Sequence, residues 1–282
     1  MLTGHCLCGA VQYEFHATPK SLTVCHCGMC RRWHGALGAY ANGNARDYRI
    51  RGAEHIRWYQ SSDDAERGFC GSCGSKLFWR EKGGQGGMDV TAGSLDQPTG
   101  LTTTAHIWVA HKGDYYRIED DVPQFVESST GAAIQGRPRD PVEIDYPSRH
   151  GQCLCGAVQM KINGPVRQVV WCHCGQCLDW HGHYPGYTAS RWENIELSGE
   201  ASLAWYQSSD KARRGFCATC GSSLFWEPSH KQHVSICAGA LDLPTGLTTA
   251  RHIFAEDKAD YYALGPSAPR VPGSMAANPV TF

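Results

Sequence analysis

Nowhere in this 282-residue chain is there an apolar run of about 20 residues, so no membrane-spanning helix is expected. An excess of charge is missing as well. Lys and Arg number 26 against 27 Asp and Glu, for a formal net charge of -1. Phosphate backbones demand surplus cation, so a broad nucleic-acid surface is not expected. The first residues, Met1-Leu2-Thr3-Gly4-His5-Cys6, carry neither the basic nor the apolar segment of a secretory signal, and a reducing, cytoplasmic setting is the expectation. Long stretches of 3.6-residue periodicity are absent, which argues against a helical bundle. What remains is an ordinary globular composition, with 41% hydrophobic and 10% aromatic residues. At about 100–200 residues per domain the length suggests two domains.

What the chain does have is cysteine, 15 in all. In a reducing compartment, dense cysteine more often means metal than disulfide. Fourteen of the cysteines fall into a duplicated pattern. Cys6, Cys8, Cys25, Cys27, Cys30, Cys70 and Cys73 recur as Cys153, Cys155, Cys172, Cys174, Cys177, Cys217 and Cys220, each 147 residues later. The repeat extends to Cys6-Leu7-Cys8-Gly9-Ala10-Val11-Gln12, to Tyr59-Gln60-Ser61-Ser62-Asp63 and to Leu77-Phe78-Trp79. After the loss of one residue, Pro98-Thr99-Gly100-Leu101-Thr102-Thr103 matches Pro244-Thr245-Gly246-Leu247-Thr248-Thr249. So long a period suits two duplicated domains rather than a solenoid.

The expected organisation is a first domain over 1–130, a linker over 131–147, a second domain over 148–266 and a Pro/Ala-rich tail over 267–282. Alternation at Val11, Tyr13 and Phe15, and at Val158, Met160 and Ile162, predicts short strands. Ile56-Arg57-Trp58-Tyr59, Lys76-Leu77-Phe78-Trp79 and His106-Ile107-Trp108-Val109 read as further strands. The fold class is therefore mainly β, in two small domains stapled by metal.

Each copy carries a CxC, a CxCxxC and a CxxC. Tetrahedral zinc takes thiolates from such close pairs. Seven ligands divide into four plus three, and the remainder is the chemical clue: a closed site of four cysteines is structural, whereas three protein ligands leave a corner for water or substrate. The simplest partition assigns Cys6, Cys8, Cys70 and Cys73 to a closed site and Cys25, Cys27 and Cys30 to an open one. The second copy repeats it with Cys153, Cys155, Cys217 and Cys220, then with Cys172, Cys174 and Cys177. Two zinc ions per domain are expected, one structural and one catalytic. The alternative is closure of the second site by His34 or His181, four residues after the last cysteine, as a site of three cysteines and one histidine. His26 and His173, between ligand cysteines, are further candidates. A dithiol redox motif is a weaker alternative, because no thioredoxin-like βαβ pattern surrounds either pair.

These pieces resemble the glutathione-dependent formaldehyde-activating enzyme family, also called the centromere-protein-V/GFA domain. The resemblance rests on Gly4-His5-Cys6-Leu7-Cys8-Gly9-Ala10-Val11, Cys25-His26-Cys27-Gly28-Met29-Cys30-Arg31, Phe69-Cys70-Gly71-Ser72-Cys73-Gly74-Ser75 and Ala92-Gly93-Ser94-Leu95-Asp96. It covers almost the whole chain as two tandem copies, and it implies an Mss4-like β fold with the same zinc partition. It also implies carbon–sulfur lyase chemistry on S-(hydroxymethyl)glutathione, the adduct of glutathione and formaldehyde. The partners would be a small-molecule thiol such as glutathione and an aldehyde-derived adduct.

Three cysteines plus a substrate thiolate around Zn2+ make a formal charge of 2 − 4 = −2, which nearby cations would moderate. Arg31, Arg32 and Arg67 are the candidates in the first copy, and Arg214 is the counterpart of Arg67. The same guanidinium groups suit the carboxylates of glutathione. His34 and His181 are the nearest candidates for moving a proton. Trp33/Trp180 and Tyr40/Tyr187 recur at matched positions as pocket or core aromatics. The copies part where Arg31-Arg32 becomes Leu178-Asp179, and where Thr91 becomes Cys237, the fifteenth cysteine, read as a buried apolar thiol. The first copy is the more family-like of the two. A non-catalytic zinc-stabilised binding module and a thiol redox sensor are the competing functions.

Overall fold

The computed structural model describes residues 1–19, 21–83, 86–133, 141–229 and 233–274. In the first half the strands are β1 (Leu2–His5), β2 (Gln12–Phe15), β3 (Leu22–Cys25), β4 (Gly38–Ala41) and β5 (Tyr48–Arg51), with helix α1 (Gly28–His34) between β3 and β4. They continue as β6 (Ile56–Gln60), β7 (Ala65–Cys70), β8 (Lys76–Glu81), β9 (Met88–Thr91) and β10 (Thr103–Ile107). The second half repeats the order with β11 (Ser148–Gln152), β12 (Gln159–Asn163), β13 (Val169–Cys172), helix α2 (Gly175–His181), β14 (Gly186–Arg191) and β15 (Ile195–Ser198). It ends with β16 (Leu203–Ser209), β17 (Ala212–Cys217), β18 (Ser223–Pro228), β19 (His233–Cys237), β20 (Thr249–Ile253) and β21 (Arg270–Val271). The mainly β reading holds, in two sheet-rich halves.

Each half has a three-stranded sheet, β1-β2-β5 or β11-β12-β15, beside a larger one. The larger sheets run β10-β3-β4-β9-β8-β7-β6 and β16-β17-β18-β19-β14-β13-β20-β21. Alternation builds the small sheets: Tyr13 and Phe15 on β2 turn inward while Gln12 faces solvent. In both halves the strand leading into the CxCxxC pairs parallel with a strand from much later in the sequence, β3 with β10 and β13 with β20.

One expectation changes here. The run His106-Ile107-Trp108-Val109 is not one strand. It leaves the sheet at Ile107, and Trp108 sits at φ 59 ψ 34, opening a 3-10 turn. The same happens at Phe254, φ 53 ψ 41. Left-handed backbone costs a non-glycine residue about 1–2 kcal/mol. Of the tail over 267–282, residues 275–282 lie outside the described set, and β21 lies as a parallel edge strand beside β20. Of the expected linker, residues 134–140 lie outside the described set. Its end rests on the second half, where Ile144 N donates to Gly246 O at 2.9 Å.

The halves share a core. Leu22, Val24, Leu37 and Tyr115 join Trp171, Tyr187 and Tyr261 in one buried cluster. Trp33, Phe69, Trp180 and Phe216 form another, across the pseudo-two-fold axis. Trp33 Nε1 donates to Cys220 O at 2.8 Å, and Trp180 Nε1 donates to Cys73 O at 2.6 Å. Each tryptophan thus spends its one polar atom on the cysteine knuckle of the opposite half.

Two repeated motifs prove to be docking devices. Gly93 N donates to Gly182 O, and Gly239 N donates to Gly35 O, both at 2.8 Å. Each helix therefore ends on the Ala-Gly-Ser or Ala-Gly-Ala turn of the other half. A Cβ on Gly93 would lie 2.6 Å from Gly182 C, and one on Gly239 would lie 2.6 Å from Gly35 C, so only glycine permits the approach. The Pro-Thr-Gly turns dock in the same crossed way. Thr245 N donates to Asp114 Oδ2 at 2.7 Å, and Gly100 N to Asp260 Oδ2 at 2.6 Å. Although partial burial works against it, hydrogen bonds from Thr99 and Gly100 hold the Asp260 carboxyl below its usual range.

Candidate metal centres

The spacing of the cysteines turns into four groups of sulfurs. Cys6, Cys8, Cys70 and Cys73 converge, as do Cys153, Cys155, Cys217 and Cys220, each with every pair of sulfurs within 4.8 Å. The first pair enters from the turn after β1 or β11, and the second from the end of β7 or β17 and the turn that follows. Val11 N reaches Cys6 Sγ at 3.2 Å, and Val158 N reaches Cys153 Sγ at 3.3 Å, so main-chain donors face the sulfurs in both copies. Four ligands of this type suit a closed tetrahedral ion.

The remaining groups are Cys25, Cys27 and Cys30, and Cys172, Cys174 and Cys177, three sulfurs each among the described residues. The first cysteine ends β3 or β13. The second caps the helix, and the third lies in its first turn. Cys27 Sγ accepts from Cys30 N at 3.4 Å. The local sequence builds this hairpin because Gly28 and Gly175 open the helices without a side chain, while Gly35 and Gly182 close them in the left-handed region, at φ 95 and φ 73.

Arg67 and Arg214 come to these thiols from β7 and β17, fully within the fold. Arg67 Nη2 lies 3.5 Å from Cys30 Sγ, and Nη1 donates to Tyr40 Oη at 2.8 Å. Arg214 Nη1 and Nη2 each lie 3.8 Å from Cys177 Sγ. Burial opposes their charge, but the tyrosine and thiol groups around them outweigh it, so both guanidinium groups stay cationic. Hydrogen bonds from Cys25 and Cys27, with the Arg67 charge, hold the Cys30 thiol well below its ordinary range. Cys177 is lowered in the same way by Cys172, Cys174 and Arg214.

His34 and His181 do not point at the sulfurs. His34 Nε2 contacts Tyr40 Oη at 2.6 Å, and His181 Nε2 contacts Tyr187 Oη at 2.6 Å. Their Nδ1 atoms are engaged with main-chain carbonyls. Both ring nitrogens are spent, which leaves none to complete the three-cysteine groups. Burial lowers His34 to about 4 and holds His181 well below its usual value. Tyr40 is the group between histidine and thiol, with its hydroxyl 3.9 Å from Cys30 Sγ. Burial keeps that hydroxyl protonated.

His26 and His173 also face away. His106 Nε2 donates to the Asp120 carboxylate at 3.0 Å, so His106 Nδ1 accepts from His26 Nε2 at 2.9 Å, and His26 Nδ1 accepts from Tyr116. His173 meets His252 and Tyr262 in the same way. Arg31 and Arg32 are not brought to the thiols either. Arg31 Nη1 donates to Gly239 O and Leu241 O, at 2.9 and 2.7 Å, and Arg32 pairs with Asp242 at 2.6 Å. Both serve the junction with the second half. Cys237 is buried there, facing Gly35, and its thiol stays protonated.

Residues 1–111 and again residues 148–257 match the family described as glutathione-dependent formaldehyde-activating enzyme. The chain belongs to that family. In this family member, a single half corresponds in extent to a whole relative. An uncharacterized lyase of Schizosaccharomyces pombe is 27% identical over 122 residues, 43% of this chain and 88% of that protein. A protein of Rhodobacter sphaeroides known from a crystal structure is 30% identical, covering 34% of this chain and 88% of that one, with a TM-score of 0.29. No helix among the described residues is long and apolar enough to cross a membrane.

Sequence reasoning named Tyr40 and Tyr187 as pocket or core aromatics and gave the proton to histidine. The signal available was their position, six residues after His34 and His181 and repeated in both copies. Trp79 and Trp108, which pack against Cys25, Cys30 and Tyr40, were read only as strand residues.

Proposed function

We propose that the chain is a zinc-dependent carbon–sulfur lyase, working in either direction on adducts of a small thiol and a carbonyl compound, such as S-(hydroxymethyl)glutathione. The observation that carries this reading is the contrast between the two kinds of sulfur group. The four-cysteine groups each bring four sulfurs together, every pair within 4.8 Å, a full ligand set for one tetrahedral ion. The three-cysteine groups have a buried arginine and a tyrosine hydroxyl beside them and histidines already engaged elsewhere. Family membership and a relative described as a lyase support the same reaction class.

In this reading Cys6, Cys8, Cys70 and Cys73, with Cys153, Cys155, Cys217 and Cys220, hold structural zinc. Cys25, Cys27 and Cys30, with Cys172, Cys174 and Cys177, hold catalytic zinc. Bound there, zinc stabilises an incoming or departing thiolate without any redox change. Arg67 and Arg214 balance the negative charge of the sulfurs. In the splitting direction the carbon–sulfur electron pair leaves with sulfur, the carbonyl forms, and the hydroxyl proton of the adduct must leave its oxygen. Tyr40 Oη is placed to accept that hydrogen bond, backed by His34 Nε2, and the proton ends on the released thiol. His34 and His181 act here as positioning residues. Arg31 and Arg32 organise the junction that seats α1. The reaction belongs in the cytoplasm, where glutathione is abundant.

X-ray absorption at the zinc edge, with glutathione added, tests the open corner. The expected result is a rise in the mean sulfur count per zinc toward four. A shell already complete with nitrogen in both halves, and unchanged by thiol, points to the zinc-braced binding module instead. NMR exchange between labelled formaldehyde and its glutathione adduct tests turnover, and exchange no faster than without protein overturns the lyase.

A further inference from the structure

Trp108 and Phe254 hold a backbone conformation that bulky residues rarely adopt, at φ 59 and φ 53. Both follow a strand that ends beside a CxCxxC: Ile107 pairs with Cys25, and Ile253 with Cys172. Glycine fits this turn without strain. An aromatic kept there in both halves therefore needs a reason outside the backbone. Packing supplies part of it, since Phe254 lies against the main core and Trp108 against the thiol cluster, but both residues stay partly exposed. In the first half Trp108 and Trp79 pack against Cys25, Cys30 and Tyr40. The turn is held from outside by main-chain bonds, Trp108 N to Glu127 O at 2.7 Å and Phe254 N to Gly273 O at 3.1 Å.

The two rims differ in polarity. Met29, 39% exposed, lies between Cys27 and Cys30 in the first half. Its counterpart Gln176 is polar and accepts from Arg214 Nη2 at 3.5 Å. An adduct of the form R–S–CH(OH)–R′ carries three groups. Its sulfur belongs with the thiolates and its hydroxyl with Tyr40 and Arg67, on the buried side. That leaves R, on sulfur, and R′, on carbon, for the exposed side, where the partly exposed aromatic stands. For formaldehyde R′ is hydrogen, which would leave such a ring nothing on the carbon to cover.

Resting on the lyase reading, we propose that Trp108 and Phe254 are the specificity-determining residues, each offering an aromatic face to the carbon-borne substituent of the adduct. The first half, with Trp108, Trp79 and Met29, selects apolar alkyl substituents. The second, with Phe254 and Gln176, takes smaller or more polar ones. The reaction balances as before: HO–CHR′–SR gives O=CHR′ and RSH, with the electron pair going to sulfur and the hydroxyl proton to the thiol.

The test uses the full zinc-loaded chain with the second site silenced by Cys177→Ser. Adducts of glutathione with formaldehyde, propanal and hexanal are followed by NMR. In Trp108→Gly the ratio of kcat/KM for the hexanal adduct to that for the formaldehyde adduct falls about tenfold or more, and Trp108→Phe restores part of it. Trp108→Gly relaxes the turn but gives up packing on Cys25, Cys30 and Tyr40, so the thermal midpoint and zinc content are read beside the ratio. Calorimetric binding of S-hexylglutathione follows the same order. With the first site silenced by Cys30→Ser, Phe254→Trp raises the hexanal preference of the second. An unchanged ratio, or equal loss on all adducts with a lowered midpoint, overturns the inference and leaves the lyase standing. If the unsubstituted sites split no adduct at all, the lyase reading fails and this inference falls with it.

Discussion

His34 and His181 each donate an Nδ1–H to the main-chain carbonyl of the other, at 2.5 Å in both directions. A carbonyl only accepts, so the proton sits on Nδ1 in both rings, and Nε2 is left to accept from Tyr40 or Tyr187. One crossed pair of bonds thus fixes two tautomers and joins the ends of α1 and α2. The orientation of each tyrosine hydroxyl is set by the backbone of the opposite half.

Removing one of these rings is expected to be costly. His34→Ala leaves His181 O and the Tyr40 hydroxyl without their partner inside the core and opens a cavity. The expected loss is about 2–4 kcal/mol of unfolding free energy, read as a lower urea midpoint. A loss within error of zero would mean that the crossed bonds contribute nothing to the junction.

The two kinds of sulfur group should separate under mutation. Cys73→Ser is expected to release one zinc and unfold or strongly destabilise the first half, because in a closed site metal binding and folding are one event. Cys30→Ser should also lose zinc while keeping the fold and losing turnover. Zinc content and circular dichroism measured side by side check this, and equal unfolding in both variants would refute the structural and catalytic division.

Arg67 lies 3.5 Å from Cys30 Sγ with its charge maintained. With the second site silenced, Arg67→Met is expected to lower kcat about 10²-fold, the scale of losing one preorganised charged donor. Arg67→Lys should recover part of the rate, having the charge without the fork that also reaches Tyr40. Equal rates for the two variants would assign Arg67 a packing role only.

Acid should destabilise the protein through its buried imidazoles. Burial lowers His34 to about 4 from an ordinary 6.5, and His252 to about 4. The unfolded chain takes up protons near 6.5 while the folded one does not. Their contribution is therefore intact above that pH and is lost as the pH falls toward 4, by at most about 3 kcal/mol for His34. Urea midpoints between about pH 7 and pH 5, with zinc retention monitored, should fall with acidification. A rising midpoint would contradict the neutral buried state.

The cysteine partition was legible because thiolate pairs at fixed spacing have few other uses, and the exact copy at 147 residues doubled the signal. Arg67 and Arg214 were legible for the same reason. The crossed contacts were not. Ala92-Gly93-Ser94 gives no sign that it receives a helix end, since the purpose of Gly93 emerges only when Gly182 lies against it. Arg31, next to a ligand cysteine, looked like a site cation, but α1 turns it toward the carbonyls of Gly239 and Leu241. Trp108 read as a strand residue because its neighbours are β-formers, and a left-handed turn leaves no mark in an apolar run.

The docking turns at Gly93 and Gly239 have a consequence for how this molecule can change. In an assembly of two identical subunits every substitution is made twice, once on each side of the axis. Here the halves are covalent neighbours, and each contact can drift alone, as Thr91 opposite Cys237 and Arg31 opposite Leu178 already have. Joining the copies in one polypeptide frees them from symmetry, so a side chain on one flank of the seam can be exchanged while its twin stays as it was.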